Sequence, residues 1–194
     1  MRDQTIKKTV TAALFAAMTC IATMIIKIST PTMGYIHLGD CFVLLSGVVL
    51  GPANGALAAG IGSMFSDIFS GYLSWAPATF AIKAATSAIA GFLFRRLHQA
   101  GKSSRSRSAV LILSGLVGEA FMVFGYFVYE AGVAAFGSGA LNKAAVAAGI
   151  ASSAAGIPFN LVQGAAGILL AVLLLPMLSH VPGLSEWGLP PSRK

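Results

Sequence analysis

Most side chains in this sequence that could bind a small molecule lie between residues 34 and 83. Two apolar runs in this stretch, 41–50 and 56–66, meet at the segment Gly-Pro-Ala-Asn-Gly, residues 51–55, whose Gly and Pro residues break helices. The chain should reverse there and bring together the polar residues at the far ends of both runs. Those residues are His37, Asp40, Asp67, Tyr72, Trp75 and Lys83. Ionisable and aromatic groups at one end of apolar helices indicate a binding site.

The motif content of the sequence does not indicate an enzyme. Cys20 and Cys41 form no C-x-x-C pair, and the sequence contains no H-E-x-x-H, Walker A or G-x-S-x-G motif. Asp40 and Asp67 could be imagined as a carboxylate pair for proteolysis inside a membrane, but both are expected near the outer surface rather than at depth. We therefore predict a protein that is not an enzyme and needs no cofactor or metal.

Composition places the binding site in a membrane protein. Hydrophobic residues make up 56% of the chain and charged residues 10%, and the mean hydropathy is +0.81. A soluble domain of 194 residues needs more polar surface than this. Alternating strands of the kind found in membrane barrels are absent from the sequence. The prediction is one all-α integral membrane domain, with helices that pack through small residues.

The basic residues predict the topology. Ten of the thirteen Lys and Arg residues lie at the termini or in one hydrophilic loop: Arg2, Lys7, Lys8, Arg95, Arg96, Lys102, Arg105, Arg107, Arg193 and Lys194. Cytoplasmic segments of membrane proteins carry this excess, so both termini and the loop 95–108 are expected in the cytoplasm. No aromatic residues interleave with these bases, and nucleic-acid binding is not expected. The predicted location is the prokaryotic plasma membrane, crossed several times.

Six transmembrane helices are expected, at about residues 8–28, 40–51, 54–71, 77–95, 109–131 and 152–178, followed by a cytoplasmic tail, 179–194. The second and third are short, because crossing a bilayer takes about 20 helical residues. Residues 144–155 either begin the last helix or form a separate short one.

The later helices add polar residues to the same half of the membrane. Glu119 lies near the middle of the fifth helix, where an isolated carboxylate costs roughly 2.5–3.5 kcal/mol and should be paired or functional. Asp67 and Lys83 could contact a ligand, or could instead pair with each other. The candidate substrate-binding residues are Tyr35, His37, Asp40, Asp67, Trp75, Lys83, Glu119, Tyr126, Asn160 and Gln163. Their excess of carboxylates over Lys83 favours a cationic or hydrogen-bond-donating ligand.

Small residues on the first helix form a separate surface. Ala12, Ala13, Ala16 and Ala17 make two overlapping A-x-x-x-A pairs, which place a flat stripe on one side of the helix. The stripe either receives a helix from a partner or packs within the same chain.

The order of motifs resembles the substrate-binding S component of an energy-coupling factor (ECF) transporter, of the riboflavin-type set. These motifs are G-Y-I-H-L-G-D, L-G-P-x-x-G, G-I-G-x-x-x-x-D and G-Y-x-x-W-A-P with a lysine six residues after the proline. The resemblance covers about residues 8–178. It implies capture of a vitamin or vitamin precursor from outside, with a pyridoxine-like compound, an aminopyrimidine or riboflavin as candidates.

The resemblance also implies partners. The protein would dock on a transmembrane coupling subunit driven by two cytoplasmic ATPase subunits, with the alanine stripe as the docking surface. The first outer loop, which holds Tyr35 and His37, would be the gate. The alternative function is a small oligomeric structural or channel-forming membrane protein.

Overall fold

A computed structural model describes residues 2–30, 35–100, 107–137, 142–178 and 180–181. The elements are α1 (Arg2–Ile25), β1 (Lys27–Ser29), β2 (Tyr35–His37), α2 (Asp40–Leu50), α3 (Pro52–Phe69), α4 (Ala76–Ala100), α5 (Arg107–Gly137), α6 (Lys143–Ala154) and α7 (Ile157–Leu178). Only two residues separate α6 from α7, and together they form one apolar stretch, Lys143–Leu178. With α6 and α7 counted as one, the described helices number six, and the predicted all-helical membrane architecture is confirmed.

Within the described ranges, four stretches are long and apolar enough to cross a membrane: Gln4–Ile25, Ala76–His98, Arg107–Gly137 and Lys143–Leu178. The core lies around the shorter α2, which packs against α1, α3, α4 and α7. All of its residues except Phe42 are buried. A helix that is apolar on every side is stable only when neighbours surround it, and α2 is surrounded in this way.

Three glycines bring α2, α3 and α4 close together. A Cβ atom on Gly47 of α2 would overlap the backbone carbonyl of Ser87 in α4, and one on Gly91 of α4 would overlap the carbonyl of Gly47. A Cβ atom on Gly55 of α3 would lie 2.5 Å from the Cα of Gly47. Small residues at helix interfaces allow backbones to approach closely where lipid supplies no hydrophobic force between helices. We call Gly47, Gly55 and Gly91 the glycine contact.

Two short strands that the sequence did not predict lie between α1 and α2. α1 ends at Ile25, three residues before the expected end, and β1 then pairs with β2 in an antiparallel hairpin, with Lys27 opposite His37. Each strand has three residues, which is too short for a recognisable alternating pattern. We refer to the end of the molecule that carries these strands as the hairpin end.

Other helix limits also differ from those expected from the sequence. α3 starts at Pro52 because proline suits the first helical turn. α4 and α5 both extend into the predicted loop 95–108. α5 also runs beyond 131 to Gly137, and its outer part contacts α6, where a Cβ on Gly149 would lie 2.6 Å from the Ala131 carbonyl.

The stretch 144–155, which the sequence left open, is almost entirely the separate helix α6. The Asn142 side chain accepts a hydrogen bond from the Ala145 N–H at 2.9 Å and caps it. Residues 101–106 of the predicted basic loop and 182–194 of the predicted tail lie outside the described residues.

Candidate functional site

A polar cavity lies at the hairpin end, between the β hairpin and the helices α1, α3, α4, α5 and α7. It has about 40 Å³ of free volume, room for no more than a few water molecules at the roughly 10–15 Å³ that each needs on this measure. Its walls combine aromatic rings, carboxylates, amides and small hydroxyls: Thr23, Thr30, Tyr35, His37, Ser63, Asp67, Tyr72, Trp75, Thr79, Tyr126, Glu130, Gly156, Asn160 and Gln163.

Seven of the ten candidate residues line this cavity: Tyr35, His37, Asp67, Trp75, Tyr126, Asn160 and Gln163. The other three, Asp40, Lys83 and Glu119, do not line it but are buried near it. Sequence reasoning left out of the candidate set the small hydroxyl residues of the wall and Glu130. Threonine and serine in an apolar helix give little signal, because they also bond to their own backbone, as Thr23 does to the Thr19 carbonyl at 2.8 Å.

Two contacts attach the β hairpin to the end of α3. The Tyr35 hydroxyl donates to Asp67 Oδ1 at 2.6 Å, and the Lys27 ammonium donates to the Ser70 hydroxyl. Lys27 Nζ also lies 4.6 Å from the centre of the Tyr35 ring, within the range of a cation–π interaction. The hairpin is therefore attached to the α3 side of the cavity through polar contacts.

Below the cavity lies a buried ion pair. Lys83 Nζ donates to Asp40 Oδ1 at 2.5 Å, and both side chains are 0% exposed. The sequence left open a pairing of Lys83 with Asp67, but Asp40 is the residue that pairs with Lys83. Asp67 instead accepts a hydrogen bond from the Tyr35 hydroxyl at 2.6 Å, so the open alternative of an Asp67–Lys83 ion pair is not the arrangement that the structure shows.

Gln163 connects this ion pair to the cavity wall. Its Nε2 donates to Asp40 Oδ2 at 2.7 Å, and its Oε1 accepts from the His37 N–H at 3.0 Å. Both Asp40 oxygens are therefore hydrogen-bonded, which is what a buried charge requires. One amide thus links β2, α2 and α7 directly beneath the cavity.

His37 is neutral in this arrangement. Burial lowers the pKa of its imidazole to about 3, although the nearby Asp40 carboxylate acts in the opposite direction. Its Nδ1 accepts a hydrogen bond from the Gly39 N–H at 3.0 Å, which requires an unprotonated Nδ1. The ring can therefore contribute Nε2–H to the cavity as a neutral donor.

Glu119 is buried beside the ion pair. It is 4% exposed, and neither carboxylate oxygen has a hydrogen-bond partner among the described residues. Its side chain packs against α7 at Gly164, where an added Cβ would lie 3.0 Å from the Glu119 Cβ. The pairing expected for a carboxylate at this depth is not formed by any residue that the structure describes.

Two pairs of aromatic rings line the cavity. Trp75 and Tyr126 lie with ring centres 6.4 Å apart and planes at 39°, and Tyr35 and Tyr72 are 5.0 Å apart at 54°. Tyr126 is further fixed by its hydroxyl, 3.3 Å from the Thr79 hydroxyl. Tilted aromatic pairs of this kind offer flat faces to a planar ligand.

A second concavity lies along α1 and α3, remote from the cavity. It is an apolar groove with about 800 Å³ of free volume, and all four residues of the alanine stripe line it. Ala13 and Ala17 are exposed, whereas Ala12 and Ala16 are half-buried. A Cβ on Gly62 of α3 would overlap the Ala16 carbonyl. The stripe is therefore divided between contact with α3 and an open face.

Comparisons with known proteins give a consistent result. A family model described as "ECF-type riboflavin transporter, S component" matches residues 3–180. A protein of Pyrococcus woesei, described as an uncharacterized protein in the gap 3′ region, is 33% identical over 107 residues, which are 55% of this chain. The match covers 66% of that relative, just under two thirds of its length.

Two solved structures share the fold. One, described under "Structure and mechanism of the S component of a bacterial ECF transporter", has a TM-score of 0.64 and 22% identity, over 90% of this chain and 96% of that chain. The other, an S component for biotin from an ECF-type ABC transporter, has a TM-score of 0.59 and 17% identity, over 91% of this chain and 94% of that chain.

Proposed function

The chain belongs to the family of ECF-type riboflavin transporter S components, and from this premise we propose that it captures a vitamin or vitamin precursor outside the cell for ATP-driven uptake. It is a multi-pass membrane protein of a transporter family rather than an enzyme. The observation that carries the proposal is the polar, aromatic-lined cavity at the hairpin end of otherwise apolar helices. Such a cavity, with a few convergent polar groups, is the usual form of a small-molecule site.

The small volume of the cavity supports a gating role for the β hairpin. Pockets that bury small ligands typically measure roughly 300–1,000 Å³, whereas this one has about 40 Å³. Ligand entry therefore requires the hairpin to move, and the Tyr35–Asp67 and Lys27–Ser70 contacts are those that must open. We expect the ligand to enter between the hairpin and α3.

The proposed function is tested by ligand-induced stabilisation of the purified protein. We expect one compound from a panel of riboflavin, pyridoxine-type vitamers and aminopyrimidines to raise the melting temperature, because a ligand that binds only the folded state stabilises it by about 2.7 kcal/mol at 100 times its Kd. The variant Asn160→Leu should lose this shift while keeping its unliganded melting temperature. A structural or channel-forming protein would show no shift with any compound.

Partners are proposed from the groove along α1 and α3. We propose that a helix of an ECF coupling subunit, itself bound to two ATPase subunits, packs into this groove. Its exposed floor at Ala13 and Ala17 permits close approach of another backbone. Ala16 is a poorer position for a test, because its backbone already contacts α3 at Gly62.

The docking proposal predicts that Ala17→Trp abolishes uptake without affecting ligand binding. A tryptophan side chain at this exposed position would fill the groove and hold a partner helix away. The measurements are copurification with the coupling subunit, uptake in cells and ligand affinity of the isolated protein. Ala165→Trp, at an exposed position of α7, is the matched control and should leave all three unchanged. Normal uptake by Ala17→Trp would show that the groove is not the docking surface.

A further inference from the structure

The charges around the cavity are unbalanced. Two carboxylates, Asp67 and Glu130, line it, and none of the described lining residues is Lys or Arg. The two lysines nearby are already engaged: Lys83 with Asp40 beneath the floor, and Lys27 with Ser70 and the Tyr35 ring at the rim. With Asp40 and Glu119 included, four carboxylates surround the site and two ammonium groups oppose them.

The two lining carboxylates have oxygens available for a ligand. Asp67 is 5% exposed; its Oδ1 accepts from Tyr35, while Oδ2 is buried without a hydrogen-bond partner among the described residues, near the Thr79 hydroxyl. Glu130 Oε2 is likewise buried without a described partner. Buried acceptors that no protein donor satisfies are costly. A ligand that donates hydrogen bonds, or carries a positive charge, would satisfy them.

The aromatic rings of the cavity wall also favour a cationic ligand over an anionic one. The faces of Trp, Tyr and Phe rings are electronegative and attract cations within about 6 Å of the ring centre. Trp75, Tyr126, Tyr35 and Tyr72 bring four such rings to the cavity wall. An anionic ligand would meet both these faces and the carboxylates and would be repelled.

The small free volume favours a single ring. The cavity must open for any ligand, but a one-ring compound needs less displacement of the β hairpin than a fused three-ring compound such as riboflavin. From charge, aromatic faces and size together, we propose that the cavity binds a single-ring nitrogen heterocycle that carries a protonated amine or a strongly donating amino group. Asp67 and Glu130 receive these donors. This inference rests on the proposed function and specifies its ligand.

The test compares four probes on the purified full-length protein at pH 7. Pyridoxamine and 4-amino-5-hydroxymethyl-2-methylpyrimidine have the proposed chemistry; nicotinamide is a single ring that stays neutral, and riboflavin is neutral with three fused rings. We expect at least one of the first two to bind about 100-fold or more tightly than nicotinamide and riboflavin, as judged by calorimetric Kd values, since satisfying two buried acceptors outweighs ring contact alone.

Isosteric variants assign the selectivity to the carboxylates. Asp67→Asn and Glu130→Gln keep the side-chain shape and remove the charge, and each should weaken binding of the preferred probe by about 10- to 100-fold. Lys143→Gln, an exposed charge change at the start of α6, should leave the Kd within about twofold. An unchanged Kd in both carboxylate variants would overturn the assignment.

The outcomes separate this inference from the proposed function. Tight riboflavin binding with no binding of the two donor-bearing probes would overturn the inference and leave vitamin capture intact. Equal binding of nicotinamide and the donor-bearing probes would overturn the role of charge. Absence of binding by all four probes would count against both the inference and the proposed function.

Discussion

Replacing Lys83 by Met is expected to lower the free energy of unfolding by about 3–5 kcal/mol, because it leaves the buried Asp40 carboxylate without its counter-charge. Asp40 and Lys83 are both 0% exposed, so water cannot replace the missing partner. The effect should appear as a large drop in melting temperature of the purified protein. Lys27→Met is the matched control: this lysine lies at the half-buried rim, and its loss should cost about 1 kcal/mol or less.

The double variant Asp40→Asn/Lys83→Met distinguishes loss of a charge partner from loss of packing. It removes both charges and keeps similar volumes, so it should recover much of the stability that Lys83→Met loses, since neutral replacements of buried ion pairs are often tolerated. A double variant as unstable as the sum of the two single variants would show that the two residues do not act as a pair.

Substitution of Gly47 by Ala is the second change with a large expected effect, a loss of about 1–3 kcal/mol or more. The added methyl group would overlap the Ser87 carbonyl, and backbone atoms cannot rotate away as a side chain can. The same substitution at Gly132 in α5, where a Cβ meets nothing within 4 Å, should instead stabilise by about 0.5–1 kcal/mol through helix propensity. Equal effects at the two positions would contradict the glycine contact.

The sequence predicted the membrane class and the reversal at residues 51–55, and seven of its ten candidate site residues lie in the cavity wall. These predictions succeed because they depend on where helices begin and end: Gly51 and Pro52 stop one helix and start the next, so the polar residues at the far ends must converge. Asn160 and Gln163 share the cavity for a related reason, since residues three apart lie on one side of a helix.

Features that depend on the rotation of helices about their axes could not be predicted in this way. Choosing between Asp40 and Asp67 as the partner of Lys83 requires knowing which way α2 and α3 face. The division of the alanine stripe has the same origin, because Ala16 and Ala17 differ only in their angle around α1. The β hairpin was missed because Pro31 and Gly34 are typical of an irregular loop.

The short length of α2 affects how the charges near its N-terminus respond to the transmembrane voltage. Its eleven residues span about 17 Å, against a hydrocarbon core of about 30 Å, so the two ends of α2 cannot both reach a membrane face. A single charge moved across the whole membrane changes energy by about 2.3 kcal/mol per 100 mV, and one held at intermediate depth experiences part of that. Asp40 and Lys83 together carry no net charge, so displacing the pair as a unit across the membrane costs no energy from its net charge, whereas a carboxylate left ionised there by Lys83→Met would respond to the transmembrane voltage.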